Sequence, residues 1–238
     1  MRKANIKRNT KETQISVNLN LDGGGSYKIS TPFPFLSHML SGFAKHGLFD
    51  LTLTATGDTE IDDHHTVEDM GIVLGDALCQ ALGEKEKVTR FGYASIPLDE
   101  ALAHVTVDLS GRPYLVYNVS LPRRKIKMFD LNLIHHFFRS LSDRSRITLH
   151  INLLYGKDPH HILEAIFKGF GRALHQATRL NPKLQGVATE TESTTASTAT
   201  PERRSCSARE MPSLLNIARI SGSTSSRLLR LFLGFGAA

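Results

Sequence analysis

His64-His-Thr-Val-Glu-Asp-Met-Gly-Ile-Val-Leu-Gly-Asp-Ala-Leu78 aligns without a gap on His160-His-Ile-Leu-Glu-Ala-Ile-Phe-Lys-Gly-Phe-Gly-Arg-Ala-Leu174. The His-His pair, the glutamate, one glycine and Ala-Leu coincide, which points to an internal duplication. Working outward, each stretch is preceded by the same order of patterns. Thr13–Asp22 alternates apolar and polar residues, as a half-buried antiparallel strand does. Gly23-Gly24-Gly25 then turns the chain into Tyr27–Ser30, which reads as a hairpin. A helix at Leu36–Lys45 carries His38, and a strand with Leu51, Leu53 and Ala55 on one face leads to a helix opening near His64. In the second half Leu102–Leu109 alternates, Ser110-Gly111 turns, and Tyr114–Val119 returns. A helix at Leu133–Leu141 carries His136, a strand at Ile147–Leu153 follows, and His160-His161 opens the last helix. The pattern predicts an α+β fold of two half-domains, each a sheet backed by helices, packed around a pseudo-twofold axis. The expected divisions are 1–92, 93–184 and an atypical tail at 185–238.

The 238 residues suit one large or two small domains, and 40% apolar with 22% charged residues exclude wholesale disorder. A net charge of +6 is compatible with phosphate ligands, but no Lys/Arg run interleaves with aromatics as a nucleic-acid binder requires. Arg123-Arg-Lys-Ile-Lys127 is the densest basic patch, and a solvated loop explains it. Two cysteines, Cys79 and Cys206, make neither a disulfide framework nor a Cys-rich zinc site. The N-terminus lacks the apolar core of a secretory signal, and no apolar run reaches the ~18 residues of a membrane span. The expectation is a soluble, cytoplasmic protein with no nucleic-acid or membrane partner. From Thr189 to Thr200 eight of twelve residues are Ser or Thr, a composition that predicts a flexible linker. Leu228–Phe235 beyond it could form a short amphipathic helix, but Gly234 and Gly236 interrupt the pattern, so the expectation is a disordered tail with an apolar end.

All 11 histidines precede residue 185, so the chemistry is expected there. On a helix His64 and His65 are each one turn from Glu68, as His160 and His161 are from Glu164. Adjacent histidines diverge by about 100° around the axis, so each pair suits two different ions rather than one. With His38 and His136 the chain offers six imidazoles and two carboxylates, enough for two sites of four protein ligands. Such a donor set suits zinc, iron, nickel or manganese. His135 has no counterpart in the repeat, where Ser37 stands, and His46, His104, His150 and His175 are single. Arg90, at a strand start, and Arg112, in the Ser-Gly-Arg-Pro turn, are either solvated charges or a forked grip on a phosphate.

The chain resembles the imidazoleglycerol-phosphate dehydratase family of histidine biosynthesis. The resemblance lies in Phe35-Leu-Ser-His-Met-Leu40, His46-Gly-Leu-Phe-Asp-Leu51, Gly57-Asp-Thr-Glu-Ile-Asp-Asp-His-His-Thr-Val-Glu-Asp69 and Arg90-Phe-Gly92. It continues through Pro97-Leu-Asp-Glu-Ala-Leu102, Gly111-Arg-Pro113, Phe137-Phe-Arg139 and Asp158-Pro-His-His-Ile-Leu-Glu164, over about residues 1–180. It implies half-domains like the second domain of ribosomal protein S5. It also implies two manganese ions held by His38, His64, His65, Glu68, His136, His160, His161 and Glu164. Glu12 is implied as the acid/base group, with Arg90 and Arg112 holding the phosphate of a small imidazole substrate. The resemblance further implies a homo-oligomer, a 24-subunit particle with active sites between subunits. Family members close with a Pro-Ser-(Ser/Thr)-Lys-Gly segment that binds phosphate, whereas the corresponding window here reads Thr189-Glu-Thr-Glu192.

The implied reaction dehydrates D-erythro-imidazole-glycerol phosphate to imidazole-acetol phosphate. Its difficulty is removal of a non-acidic C–H proton beside an imidazole ring, which Lewis acids on the ring nitrogens ease. The ionised ring expels hydroxide to give a diazafulvene-like species. A carboxylate takes the proton of the adjoining carbon as a ring nitrogen regains one, and the resulting enol is reprotonated on carbon to the ketone. Two alternatives use the same residues. A dinuclear metal hydrolase requires a bridging carboxylate, for which Asp62, Asp63 and Asp158 are the nearby candidates. A catalytically inactive metal-binding scaffold requires only the ligands.

Overall fold

The computed structural model describes residues 2–186, and the expected linker and disordered tail lie outside the described residues. The first half runs β1 (Lys3–Asn9), β2 (Thr13–Asn20), β3 (Tyr27–Ser30), α1 (Pro34–Gly47), β4 (Asp50–Gly57) and α2 (Asp63–Leu82). The second runs β5 (Phe91–Leu98), β6 (Ala101–Asp108), β7 (Tyr114–Asn118), a ribbon of β8 (Lys125–Ile126) and β9 (Phe129–Asp130), α3 (Leu133–Ser145), β10 (Thr148–Tyr155) and α4 (Pro159–Thr178). The strand orders β1-β2-β4-β3 and β5-β6-β10-β7 are the same topology written twice. The expected division at 92/93 falls just inside β5.

Strand partners differ from those expected. β3 does not fold back on β2, because β4 lies between them. Ile15 of β2 stands opposite Ala55 of antiparallel β4, and Ile29 of β3 stands opposite Leu53 of the same strand, now parallel. In the second half β7 likewise runs parallel to β10 instead of returning along β6. Parallel neighbours need a crossover connection, and α1 and α3 supply it. Asp50 latches the first crossover: its carboxylate accepts N–H bonds from Gly24 and Ser26 and a side-chain bond from Asn20. Those bonds, from Gly24 first, hold its carboxyl below the usual carboxylate range. The edge strand β1 carries only one fully buried residue, Ala4, so it leaves almost no hydrophobic pattern to read.

Each sheet buries its apolar face against one long helix, α2 on β1 and β2, and α4 on β5 and β6. The shorter helices cross over: α1 of the first half packs on α4 of the second, and α3 of the second packs on α2 of the first. The glycine shared by the two repeats makes this possible. A Cβ at Gly75 would stand 2.7 Å from the Leu141 carbonyl oxygen, and one at Gly171 2.4 Å from that of Phe43. Phe43 stacks on Phe170 at 5.0 Å, and Phe137 and Phe138 meet Phe167 at 5.9 and 5.0 Å. All five rings are essentially inaccessible, and burying each contributes roughly 1.5–3 kcal/mol. Among the described residues no helix is long and apolar enough to cross a membrane.

Candidate metal centre

Two aspartates at matched positions start the long helices. Asp62 accepts the His64 N–H at 3.0 Å and Asp158 accepts the His160 N–H at 2.7 Å, so each is the N-cap of its helix. These caps set both His-His pairs in the first helical turn. They also engage Asp62 and Asp158, two of the three candidates for the bridging carboxylate of a hydrolase.

The crossed helices bring His38 of α1 to His160 and Glu164 of α4. His38 Nε2 is 3.5 Å and His160 Nε2 3.2 Å from Glu164 Oε2, and one ligand atom from each residue lies within 4.8 Å of the others. This triad could hold a metal ion. The two imidazole rings are 5.3 Å apart, and Phe35 meets His160 edge-on at 5.5 Å. Burial pushes the Glu164 carboxyl up, but the Lys168 ammonium at 2.9 Å and His38 outweigh it and leave it below the ordinary value. A cavity of about 590 Å³ opens beside the triad, walled by Phe33, Phe35, Met128 and Phe129.

The counterpart set joins α2 to α3. His64 Nε2 is 3.5 Å from Glu68 Oε2, the His136 ring is 4.7 Å from that of His64, and the Ser140 hydroxyl reaches Glu68 at 3.5 Å. His135 turns the other way and packs on Tyr117, at 5.1 Å between ring centroids.

The second histidine of each pair leaves its neighbour's group. His65 Nδ1 lies 3.5 Å from Asp58 and 3.7 Å from Glu12. Burial disfavours the His65 cation, yet Asp58 and Glu12 outweigh it and raise the imidazole above its ordinary value. His161 Nδ1 bonds Glu100 Oε2 at 2.7 Å, and its Nε2 is 3.7 Å from Asp99. The bond to Glu100 raises His161 and holds the Glu100 carboxyl down at about 2. The six remaining ligand candidates divide into two sets, each drawn from both halves of the chain. Among the described residues only His38, His160 and Glu164 have their ligand atoms all within 4.8 Å of one another, while His64, Glu68 and His136 meet pairwise. Glu12 sits in the β1–β2 turn with its side chain 56% exposed. That turn is tied to α2 by Asp69, which receives Arg8 at 2.9 Å and the Thr13 hydroxyl at 2.5 Å.

Arg90 and Arg112 lie at one end of the second sheet. Arg90 is forked onto Asp108 at 2.8 and 3.3 Å, its guanidinium carbon 4.7 Å from the Phe91 ring centroid. Arg112 is exposed in the β6–β7 turn, where its N–H donates to the Ser110 hydroxyl. Two further cations bond this turn: Lys85 donates to the Leu109 carbonyl and Arg146 to that of Gly111. Burial, followed by the charge of Arg146, lowers the Lys85 ammonium. Neither cation could be singled out from sequence, because each reaches the turn from a distant connection with no motif around it.

Residues 31–174 match the family model of imidazoleglycerol-phosphate dehydratase. The chain is 58% identical over 186 residues to the imidazoleglycerol-phosphate dehydratase of Trichlorobacter lovleyi and 56% identical over 186 residues to that of Pelobacter propionicus. Each alignment covers 78% of this chain and 95% of the relative. The solved structure of the Staphylococcus aureus enzyme superposes with a TM-score of 0.68 at 41% identity, over 74% of this chain and 98% of that one. The Pyrococcus furiosus enzyme, solved in complex with (S)-C348, gives 0.66 at 42% identity, over 74% of this chain and 95% of that one.

Proposed function

From the premise that the chain belongs to the imidazoleglycerol-phosphate dehydratase family, we propose a role for each side chain of the site. The chain is a lyase of histidine biosynthesis that dehydrates D-erythro-imidazole-glycerol phosphate to imidazole-acetol phosphate. The observation that carries the assignment is the crossing of α1 onto α4, which gathers His38, His160 and Glu164 within 4.8 Å of one another, and of α3 onto α2, which sets His136 beside the His64–Glu68 pair. Imidazole nitrogens with a single carboxylate fit a divalent transition metal at each set, and the family resemblance makes it manganese. When bound, two such ions supply Lewis acidity to the substrate's imidazole and lower the cost of removing the adjoining C–H proton.

The chain's own groups do the rest. Glu12, exposed and 3.7 Å from His65, takes the C–H proton and returns it as general acid/base. Arg90, its plane fixed by Asp108, and Arg112 hold the substrate phosphate. His65 and His161 face away from their own triads, and in this reading each completes a metal site on a neighbouring subunit of a homo-oligomer. Exposed apolar side chains at Ile61, Met128, Tyr114 and Tyr155 are compatible with such assembly, the 24-subunit particle implied by the family. Turnover of imidazole-glycerol phosphate, measured with and without added manganese, tests the assignment. Equal turnover in metal-stripped and manganese-loaded protein would overturn the metal roles.

A further inference from the structure

The turns β1–β2 and β5–β6 occupy the same place in the two sheets, and each ends in a glutamate one residue before its strand, Glu12 before Thr13 and Glu100 before Ala101. Each glutamate faces Nδ1 of the second histidine in its own half, Glu12 facing His65 and Glu100 facing His161. The two are structural counterparts with different restraints. Glu12 is 3.7 Å from its histidine and more than half exposed. Glu100 is 2.7 Å from its histidine through Oε2, while Oε1 accepts the N–H groups of Asp158 at 2.7 Å and Lys157 at 3.1 Å.

We infer that Glu100 is a positioning residue that fixes the ring and tautomer of His161 so that its Nε2 is presented as a metal ligand. The inference rests on the reading of His161 as a ligand. A carboxylate only accepts, so Nδ1 carries the proton in the bond to Glu100 and the neutral ring keeps its lone pair on Nε2. The nearest carboxylate to Nε2, that of Asp99, is 3.7 Å away, beyond a hydrogen bond. Ligating histidines are commonly oriented by such a carboxylate on the other nitrogen. The duplicated glutamate therefore serves two ends: loosely held, it moves protons, and locked by three bonds, it aims a ligand.

The test is a cycle of Glu100→Gln, His161→Ala and the double variant, with manganese affinity followed by the electron paramagnetic resonance of free Mn²⁺. Glutamine keeps a carbonyl for the Asp158 and Lys157 N–H groups but turns an NH2 toward Nδ1, which drives the ring proton to Nε2. Affinity at one of the sites should fall about 10–100-fold in Glu100→Gln. In the His161→Ala background the same change should cost nothing more, which a merely structural role would not produce. Should Glu100→Gln fail to fold, Glu100→Asp keeps the charge and withdraws the contact, and carries the same cycle. Unchanged affinity in His161→Ala would overturn the ligand reading. A loss in His161→Ala without one in Glu100→Gln, or additive losses, would overturn the role of Glu100 alone.

Discussion

His38 and Glu164 belong to different halves of the chain, yet their Nε2 and Oε2 atoms face each other at 3.5 Å across the contact between α1 and α4. The candidate centre is therefore a product of how the halves pack. Removing His38 leaves His160 and Glu164 in place but opens the set. His38→Ala should lose roughly half of the bound metal while keeping its fold, as elemental analysis of the purified protein would show. Full metal content in that variant would remove His38 from the ligand set.

Glu12→Gln keeps the shape of the side chain and removes its basicity. Turnover should fall about 10²–10⁴-fold with metal content unchanged. Steady-state kinetics beside elemental analysis separates this outcome from loss of the ions, and near-normal turnover would return Glu12 to an ordinary surface charge.

Gly171→Ala places a methyl group 2.4 Å from the Phe43 carbonyl oxygen. The cost should be about 1–3 kcal/mol in chemical denaturation of the metal-free protein. Because the displaced helix is α1, manganese affinity at the His38 triad should weaken as well. A variant as stable as the parent would show that α1 and α4 are less closely fitted than their spacing indicates.

The Asp50 carboxyl is held below its ordinary value by N–H bonds from Gly24 and Ser26. Its contribution to stability is present above the unfolded carboxyl pKa of about 4 and is lost as pH falls through the lower folded value. Asp50→Asn should melt below the parent at neutral pH, and the gap between the two melting curves should close in strong acid. A gap of constant size across the pH range would mean that the charge does not matter there.

The fifth expectation concerns the end of the chain, where the resemblance implies a phosphate-binding Pro-Ser-(Ser/Thr)-Lys-Gly segment and the sequence reads Thr189-Glu-Thr-Glu192. The proposed metal ligands, Glu12 and both arginines all precede Leu184, so a chain ending there should still bind metal. The native chain should hold its substrate weakly. Placing Pro-Ser-Thr-Lys-Gly after Val187 should lower KM by about one to two decades, the value of a charge-assisted hydrogen bond. Equal KM values for native and restored chains would show that Arg90 and Arg112 suffice.

Patterns that repeat along one element were legible in the sequence. The alternation of Ile15, Val17 and Leu19 and the His-His-x-x-Glu helices appear where their spacing places them. Partners were not legible, because periodicity names the face of a strand and not its neighbour. Gly23-Gly24-Gly25 looks like a hairpin turn whether the next strand returns beside β2 or passes to the far side of β4. The same limit hid the crossing of α1 and α3 and the positions of Lys85, Arg146 and Glu100, which depend on contacts between distant segments. The divergence of adjacent histidines could be stated in advance from helical geometry, but which carboxylate each would meet could not.

The crossed packing has a historical consequence. If the chain arose by doubling of a half-length gene, that ancestor carried one copy each of the short-helix histidine, the His-His pair and the glutamate. Folded alone, it held no partner for its short helix and could not have gathered a triad. Two copies, each lending its short helix to the other, would have brought both sets together at once. On this account the present polypeptide is a former pair of identical chains joined end to end, and covalent linkage then let its two turn glutamates take up separate duties.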